Sequence, residues 1–342
     1  KPFDILFCGS DAFSTASLKA VLDAKDVWRS LTVLVPHEKP VRVKGSITSV
    51  PCALSEFARE SDISVFQVPA SGISAYELPE KHLHPSPTSL LITASFGHIL
   101  PDTFLSHFLP THRLNVHPSL LPRWRGAAPV QWTIASGDKE TGVSVQRLVE
   151  RGKGIDSGEI VGVRDGIPVP DDATYHSLLP SLAEVGGKVL VDVLRSMQKG
   201  EIQGPTQDPA LITRAPKINE ETARIRWTEQ SSEVLLRLSR GISHQIPLWT
   251  IFAGQKIQLI EIASSGSSPA FASSAEVLAG TAVLDRKAQV LRVACAGAGA
   301  DGTDVSWIAV TRVKPAGRRA MGVMEWWNGL PREVRAGKYI TL

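Results

Sequence analysis

An amide and an imidazole lie two residues apart in the stretch of this chain that is richest in chemically capable side chains. Asn115 and His117 end an apolar run typical of a strand, and alternate strand positions share one face. Pro118 and Pro122 stiffen the loop that follows. An Asn N–H can donate to a developing oxyanion, and a His can donate or take up a proton. These residues could form an acyl-transfer site, and a buried His bonded to a loop carbonyl, beside a turn-forming Asn, would give the same pattern.

A carboxylate further along the chain could complete such a site. Asp156 lies between Gly154 and Gly158, just before a strand-like run over 159–163. A carboxylate there could orient His117 and stabilise its protonated form. The other interpretation is an Asx-turn, in which the Asp side chain accepts a hydrogen bond within its own loop. The residues around Asp156 leave both interpretations open.

Several kinds of site lack their sequence signatures in this chain. There is neither a GxGxxG nor a GxxxxGK[ST] motif, so neither a dinucleotide nor a nucleoside triphosphate site is indicated. There is no HExxH and no Cys/His cluster, so we expect no metal. The three cysteines, Cys8, Cys52 and Cys295, form no CxxC pair, which argues against a disulfide framework and suits a reducing compartment.

Length and composition indicate a globular protein of two domains. The 342 residues exceed what one hydrophobic core usually organises, and 43% of them are hydrophobic. No apolar run reaches the length of a membrane span, so we expect no membrane association. Residues 215–342 carry 16 Lys and Arg against 11 Asp and Glu, which fits either a polyanionic partner or ordinary surface scatter.

The apolar patterns predict different architectures in the two parts of the chain. Strand-like and helical segments alternate up to residue 197, which indicates an α/β layer with a mostly parallel sheet and a site beyond the carboxyl ends of its strands. Residues 199–216 hold three prolines and show no periodicity, so we predict a linker there. Short β-type runs dominate 217–342 and predict a small barrel. We therefore expect one domain over 1–198 and another over 217–342.

Several motifs resemble those of the formyltransferase family that uses 10-formyltetrahydrofolate. The run over 115–126, Asn-Val-His-Pro-Ser-Leu-Leu-Pro-Arg-Trp-Arg-Gly, is similar to the signature loop of that family. Segments spread over nearly the whole chain resemble the family members that formylate methionyl-tRNA, and they cover residues 7–13, 94–101, 137–143, 217–227 and 314–321. The resemblance implies a Rossmann-like catalytic domain followed by a C-terminal β-barrel of the OB type.

The resemblance also implies an activity, which is formyl transfer from 10-formyltetrahydrofolate to the α-amino group of initiator methionyl-tRNA for translation initiation. Asn115, His117 and Asp156 match the catalytic residues of the family. The segment expected to contact the reduced folate consists of Ser119, Leu120, Leu121 and Pro122. The basic residues expected to contact tRNA phosphates are Lys39, Arg42, Lys44, Arg123, Arg125, Arg318 and Arg319. Solubility is the alternative role for these cations, and we expect a monomer.

The chain departs from the family pattern in three places. The glycine-rich basic insertion of the bacterial members corresponds to residues 36–45, where the basic residues survive and most of the glycines do not. Pro118 stands where bacterial members usually carry glycine, and the approach to Asp156 over 150–154 is longer and more charged. The last two features lean toward an organellar enzyme. We expect the mitochondrial matrix, with the bacterial cytoplasm as the alternative.

Other functions remain compatible with parts of this pattern. A folate-dependent formyltransferase acting on an amino sugar nucleotide or glycinamide ribonucleotide, or a 10-formyltetrahydrofolate hydrolase, would share Asn115, His117 and Asp156 but generally lacks the segments over 217–227 and 314–321. A non-catalytic tRNA-binding protein would not need the three intact side chains. A nicotinamide-dependent oxidoreductase would need a glycine-rich turn after the first strand, where only Gly9 is present.

Overall fold

Apolar strands alternate with helices through the first 216 residues, as the sequence pattern predicts. The strands are β1 (Phe3–Gly9), β2 (Trp28–Val35), β3 (Pro40–Val43), β4 (Ser46–Ser49), β5 (Ser64–Gln67), β6 (Ser89–Ala94), β7 (Arg113–His117), β8 (Arg125–Gly126), β9 (Glu140–Arg147), β10 (Ile160–Pro168) and β11 (Arg214–Ala215). The helices are α1 (Ala12–Asp23), α2 (Ala53–Glu60), α3 (Asp102–Leu105), α4 (Pro129–Ser136) and α5 (Tyr175–Lys199). The computed structural model describes residues 1–38, 40–43, 46–265, 277–297, 305–337 and 339–342, with the backbone alone at 40–43 and 46–48.

A seven-stranded sheet forms the centre of the first unit of the chain, which comprises Lys1–Val130, Lys139–Pro170 and His176–Pro216. The strand order is β10-β9-β7-β6-β1-β2-β5. The strands from β7 to β5 run parallel to one another, and β9 runs antiparallel to both of its neighbours. Every residue of β1 and β6 is buried, which is expected of parallel strands covered on both faces. The prediction of a Rossmann-like, mostly parallel sheet is confirmed.

Two glycines allow helix α5 to lie close against helix α1. A Cβ atom on Gly187 would lie 2.7 Å from the Cβ of Ala20 and 3.1 Å from the carbonyl oxygen of Ala16. A Cβ on Gly186 would lie 3.2 Å from the ring of Phe13. These glycines interrupt the apolar pattern of α5 in the sequence, yet the helix continues through them. The interruption therefore marks a close approach between helices, not a helix end.

Residues 199–216, predicted as a linker, pack onto the strands of the first unit. Strand β11 pairs in parallel with β8, where Arg214 lies opposite Arg125. The backbone N–H of Gly204 donates to Oε1 of Glu159 at 2.7 Å, just before β10 begins. One end of this segment is therefore bonded to the residue before β10, and the other end is paired with β8.

An antiparallel sheet dominates the second unit, which comprises Gln131–Asp138, Asp171–Tyr175 and Lys217–Leu342. Its strands are β12 (Leu248–Phe252), β13 (Gln255–Ser264), β14 (Thr281–Asp285), β15 (Val290–Gly297), β16 (Val305–Pro315), β17 (Met321–Gly322) and β18 (Ile340–Thr341), and its later helices are α6 (Ser232–Ile242), α7 (Val323–Asn328) and α8 (Arg332–Ala336). The order is β12-β13-β16-β15-β14-β18, with β17 paired to β16. The prediction of a small, β-rich barrel domain is confirmed. Within the described parts of the chain, no helix is both long and apolar enough to cross a membrane.

Candidate active site

Strand β7 carries two polar residues at its carboxyl end, and its neighbours add more. Asn115 lies opposite Thr93 of the parallel strand β6 and opposite Gln146 of the antiparallel strand β9. His117 lies opposite Ser144 of β9. Because alternate residues of a strand share a face, this register brings the polar side chains of three strands to one location.

The amide of Asn115 has its orientation set by a hydroxyl. Oγ1 of Thr93 donates to Oδ1 of Asn115 at 2.7 Å, so the opposite side of the amide carries the N–H groups. Nδ2 of Asn115 lies 3.5 Å from Oδ1 of Asp156, a long and therefore weak contact. The amide thus has N–H capacity left for a negatively charged oxygen in the cleft.

The imidazole of His117 is held by a backbone carbonyl on one side and faces a carboxylate on the other. Nε2 lies 2.9 Å from the carbonyl oxygen of Trp124, which can only accept, so Nε2 carries a proton. Nδ1 lies 3.9 Å from Oδ2 of Asp156, beyond direct hydrogen-bond distance. The loop-carbonyl contact expected of a buried His and the carboxylate neighbour expected of an acyl-transfer site are therefore both present. Nδ1 is the nitrogen that can exchange a proton.

The carboxylate of Asp156 is held between a loop and a strand by two short hydrogen bonds. The backbone N–H of Gly126 donates to Oδ2 at 2.9 Å, and Nε2 of Gln146 donates to Oδ1 at 2.7 Å. The backbone of Asp156 is left-handed, with φ of 53°, a conformation that Asp tolerates better than most residues. The Asp is thus aimed at β7 by its own backbone and by donors from two other segments.

A cation lies beside this carboxylate and is tied to the segment that follows α5. Nε of the half-buried Arg125 donates to Oε1 of Gln207 at 2.8 Å. Burial lowers the pKa of the Arg125 guanidinium, and the negative charge of Asp156 opposes that shift. An arginine stays protonated in either case, so the site contains a fixed positive charge next to Asp156.

A cleft of about 430 Å³ opens beside these groups. Asn115, His117 and Asp156 all line it. Its other walls are largely apolar and include Phe96, Ile99, Leu105, Leu148 and Ile155. A concave apolar site with a few convergent polar groups is typical of small-molecule binding, and its volume is within the usual range for such sites. The structure brings the three predicted catalytic residues together at one cleft.

The predicted folate-contacting residues lie in the loop after β7, where Ser119 and Leu121 are held by internal hydrogen bonds. Ser119 is fully buried, and its hydroxyl donates to the carbonyl oxygen of Arg123 at 2.7 Å. The hydroxyl of Ser144 donates to the carbonyl oxygen of Ser119 at 2.8 Å and accepts from the N–H of Leu121 at 3.1 Å. Ser144 belongs to β9, so this strand fixes the conformation of the loop through two hydrogen bonds.

The rest of the loop shows which of its residues reach the cleft. A Cβ added to Gly142 would strike the side chain of Leu120, so Leu120 packs against β9. The bond between Leu121 and Pro122 is cis. Within the cleft as described, the lining contributed by this loop consists of Pro118, Gly126 and Ala127. The side chains of residues 119–122 are not part of that lining, and their role in folate binding stays a prediction.

The predicted tRNA-contacting residues fall in different parts of the chain. Lys39 and Lys44 lie outside the described residues, and Arg42 belongs to β3, where the backbone alone is described. Arg123 is exposed, with its guanidinium 4.8 Å from the centre of the Trp124 ring. In the second unit, Arg318 and Arg319 are exposed, and Arg319 pairs with Glu325 at 2.7 Å. Their tRNA contacts also stay a prediction.

Three site residues have no place in the sequence-based prediction: Thr93, Gln146 and Gln207. Gln146 offered a signal, because Ser144 and Gln146 alternate with Val143 and Val145 along the strand. Thr93 ends an apolar strand and gave no such pattern. Gln207 lies in a segment without periodicity, so nothing local marked it.

No resident metal is indicated by the part of the chain that the structure describes. Among those residues there is no group of three His, Cys, Asp or Glu side chains that could hold a metal ion. Cys8, Cys52 and Cys295 are free thiols, and burial raises the pKa of Cys8 and Cys295. A raised thiol pKa disfavours the reactive thiolate.

Two family profiles match this chain. The profile of the Formyl transferase family matches residues 56–194, and that of the Formyl transferase C-terminal domain matches residues 217–331. Among solved structures, the sugar 3N-formyl transferase WlaRD, crystallised with dTDP and 5-N-formyl-THF present, superposes with a TM-score of 0.60 at 15% identity. The superposition covers 93% of this chain and 100% of that one, which shows a shared fold.

Curated relatives are more similar in sequence. The mitochondrial methionyl-tRNA formyltransferase of Homo sapiens is 31% identical over 340 residues, which cover 96% of this chain and 78% of that protein. The methionyl-tRNA formyltransferase of Anaeromyxobacter dehalogenans (strain 2CP-1) is 32% identical over 335 residues, which cover 96% of this chain and 97% of that protein. Identity at this level over nearly the whole length establishes kinship, and this chain belongs to the methionyl-tRNA formyltransferase family.

Proposed function

We propose that this protein transfers the formyl group of 10-formyltetrahydrofolate to the α-amino group of methionyl-tRNA, for translation initiation. The observation that carries the proposal is the convergence of Asn115, His117 and Asp156 on one apolar cleft. The relatives at 31% and 32% identity bear the name of this activity. Formyl transfer needs oxyanion stabilisation and proton transfer, and these three side chains can supply both.

Asn115 and His117 would stabilise the tetrahedral intermediate. The neutral α-amine attacks the formyl carbon, a C–N bond forms, and negative charge develops on the formyl oxygen. The free N–H of Asn115 can donate to that oxygen because Thr93 keeps the amide oxygen turned away. His117 can donate as well once Nδ1 is protonated. Such donors act strongly in a site with apolar walls, where water does not compete.

Asp156 would assist the proton transfers through His117 or through water. The attacking amine must lose a proton, and N10 of the folate must gain one when its bond to the formyl carbon breaks. At 3.9 Å, the Asp156 carboxylate is close enough to stabilise a positive charge on His117 without a direct hydrogen bond. The hydrogen bonds from Gly126 and Gln146 keep that carboxylate in place during the reaction.

The reduced folate would bind in the cleft as a co-substrate, its rings against the apolar walls. Phe96, Ile99 and Leu105 supply such surface. Ser119, Leu120, Leu121 and Pro122 would act mainly through the shape and backbone of their loop, since Ser119 and Leu121 are buried within it.

The tRNA would bind by phosphate neutralisation, with the chemistry in residues 1–198 and further tRNA contacts in residues 217–342. The cations proposed for these contacts are Lys39, Arg42, Lys44, Arg123, Arg125, Arg318 and Arg319. Nε of Arg125 is already bonded to Gln207, so only its terminal nitrogens could serve a phosphate.

We further propose that the protein acts as a monomer in the mitochondrial matrix. All three catalytic side chains come from one chain, which supports a monomeric site. Relatives from mitochondria and from bacteria match at similar identity, and Pro118 with the charged approach over 150–154 favours the former. A solution mass near 36.9 kDa and immunolocalisation in the source cell test the two statements separately.

A side-by-side formylation assay tests the proposed function. Purified protein and 10-formyltetrahydrofolate are incubated with methionyl initiator tRNA, methionyl elongator tRNA, an amino sugar nucleotide or glycinamide ribonucleotide. We expect formylation of the initiator methionyl-tRNA and none of the small amines. Formylation of a small amine alone would show that the protein is a formyltransferase for an amino sugar nucleotide or glycinamide ribonucleotide. Release of formate without any formylated acceptor would indicate a hydrolase.

A further inference from the structure

The side chain of Gln207 forms hydrogen bonds at the active site through both its amide nitrogen and its amide oxygen. Its two N–H groups reach the carbonyl oxygen of Asp156 at 2.9 Å and that of Gly158 at 2.7 Å. Its Oε1 accepts from Nε of Arg125 at 2.8 Å. Gln207 lies 51 residues from Asp156 and 82 from Arg125 in the sequence. One amide therefore joins the catalytic Asp loop to the loop that follows β7.

The segment around Gln207 is bonded to the same two loops through its backbone and a hydroxyl. The N–H of Trp124 donates to Oγ1 of Thr213 at 2.8 Å, and the N–H of Arg125 donates to the carbonyl oxygen of Thr213 at 2.9 Å. Near its other end, the N–H of Ile160 donates to the carbonyl oxygen of Pro205 at 3.3 Å. We call residues 204–215 the strap. The strap fixes the position from which Gln207 acts.

The conformation of Asp156 explains why such bonds matter. A left-handed residue keeps its backbone only when the surroundings determine it, and rotation there would swing the carboxylate away from His117. Gln207 bonds the carbonyl groups of Asp156 and of Gly158 just beyond it, so it opposes that rotation by holding the backbone on the carboxyl-terminal side of Asp156. Small displacements of a catalytic group lower the rate without necessarily weakening substrate binding.

We propose that Gln207 is a positioning residue for the formyl transfer, which holds the Asp156 backbone so that its carboxylate faces His117. It is absent from the cleft lining in the described chain and acts through Asp156. The strap then contributes to catalysis by holding Gln207 against the backbone of Asp156. This inference rests on the proposed function, and its test separates the two.

The test compares Gln207→Met, which keeps the length of the side chain and removes its hydrogen bonds, with wild type. We expect kcat to fall about tenfold or more, with KM for both substrates within about twofold, because displacement affects the reacting geometry. In an Asp156→Asn background the same substitution should change kcat by less than about twofold, because the carboxylate through which Gln207 acts is already absent. An unchanged kcat, a rise in KM alone, or an undiminished loss in the Asp156→Asn background would overturn the proposal.

Two further variants control for folding. Gln198→Met removes a similar bond, from Nε2 of Gln198 to the carbonyl oxygen of Asp26 at 2.8 Å, and should leave kcat unchanged. Gln207→Glu keeps the acceptor for Arg125 and removes both donors, so it should lose kcat as Gln207→Met does. Wild-type kcat in Gln207→Glu would contradict the role of the donors, whether or not Gln207→Met folds.

Hydrogen exchange gives a readout that does not depend on activity. Backbone amides over 154–160 should exchange faster in Gln207→Met than in wild type or Gln198→Met. Unchanged exchange there would overturn the positioning role even in an active enzyme. Faster exchange in a protein that formylates no acceptor would show that Gln207 holds the Asp156 backbone and would reject the proposed function.

Discussion

Nε2 of His117 donates to the carbonyl oxygen of Trp124 at 2.9 Å, and this contact decides which nitrogen of the imidazole faces the carboxylate of Asp156. Trp124 has a left-handed backbone, with φ of 61°, and lies two residues after the segment predicted to contact folate. The other ring nitrogen, Nδ1, faces Oδ2 of Asp156 at 3.9 Å. The shape of the loop and the orientation of the His117 ring are therefore linked by one hydrogen bond.

Asn115→Ala should lower kcat by about 10²–10³-fold, because it removes a donor to the oxyanion. KM for the folate and for methionyl-tRNA should change little, since this donor acts mainly in the transition state. Thr93→Val is a milder companion variant, because it leaves the amide in place but frees its orientation. Single-turnover formylation measures both. A rise in KM at unchanged kcat would show that Asn115 only binds substrate.

Gly158→Ala should disturb the Asp156 loop, because a Cβ at this position would strike the backbone carbonyl of Arg147. We expect a loss of about 1–3 kcal/mol in the free energy of unfolding, together with at least about a tenfold lower kcat. Gly152→Ala, in the same approach to Asp156, is the matched control because its Cβ meets nothing within 4 Å. Urea unfolding and steady-state kinetics would reveal the difference, and equal behaviour of the two variants would refute it.

His82 should make the stability of the first unit depend on pH. Its ring is fully buried, with Nδ1 bonded to Ser89, and burial, together with the charge of Lys81, lowers its pKa from 6.5 to about 4. The unfolded chain therefore takes up this proton more readily than the folded chain. The contribution of His82 to stability is fully present above pH 6.5 and is lost as the pH falls toward 4.

The His82→Asn variant should remove that dependence, which we expect to be on the order of 2 kcal/mol between pH 7 and 4. The measurement is the free energy of unfolding at several pH values, and the relevant quantity is its slope rather than its absolute size. The same change at the exposed His84 should leave the slope as it is in wild type. A wild-type slope in His82→Asn would assign the acid sensitivity to other groups.

Arg42→Ala should weaken tRNA binding and reduce its salt dependence. Each phosphate neutralised by a cation contributes about 0.7–0.9 to the slope of log K against log salt concentration, so the slope should fall by about that amount. Lys188→Ala is the charge-matched control, because Lys188 is exposed on α5 and pairs with Glu184 at 2.6 Å. If both variants kept the wild-type slope, Arg42 would have no place in the tRNA interface.

The sequence predicted those parts of the fold and the site that depend on local pattern. The strand that ends at His117 was visible because its apolar residues alternate around Asn115, and the structure places β7 over Arg113–His117. Residues 114–117 are also where the polar spacing suggested acyl transfer. Both inferences needed only neighbouring residues, and for these the period of a strand is sufficient information.

The support for Asp156 could not be predicted in the same way. Gln146 reaches this carboxylate from β9, which pairs antiparallel with β7. The periodicity of apolar residues along a strand does not show in which direction the strand runs within a sheet. Gln207 depends on the fold still more, since it lies in an aperiodic, proline-containing segment far along the chain. Residues whose role arises from tertiary contact become visible only when the fold is known.

The most direct measurement of the central claim is the single-turnover rate of formyl transfer to methionyl-tRNA in the Asp156→Asn variant. This change keeps the size of the side chain and removes the charge that faces His117 at 3.9 Å. We predict a rate lower by about 10²–10⁴-fold with unchanged affinity for methionyl-tRNA, because proton transfer through His117 loses its support. A rate within about twofold of wild type would contradict the assignment of Asn115, His117 and Asp156 as one catalytic unit.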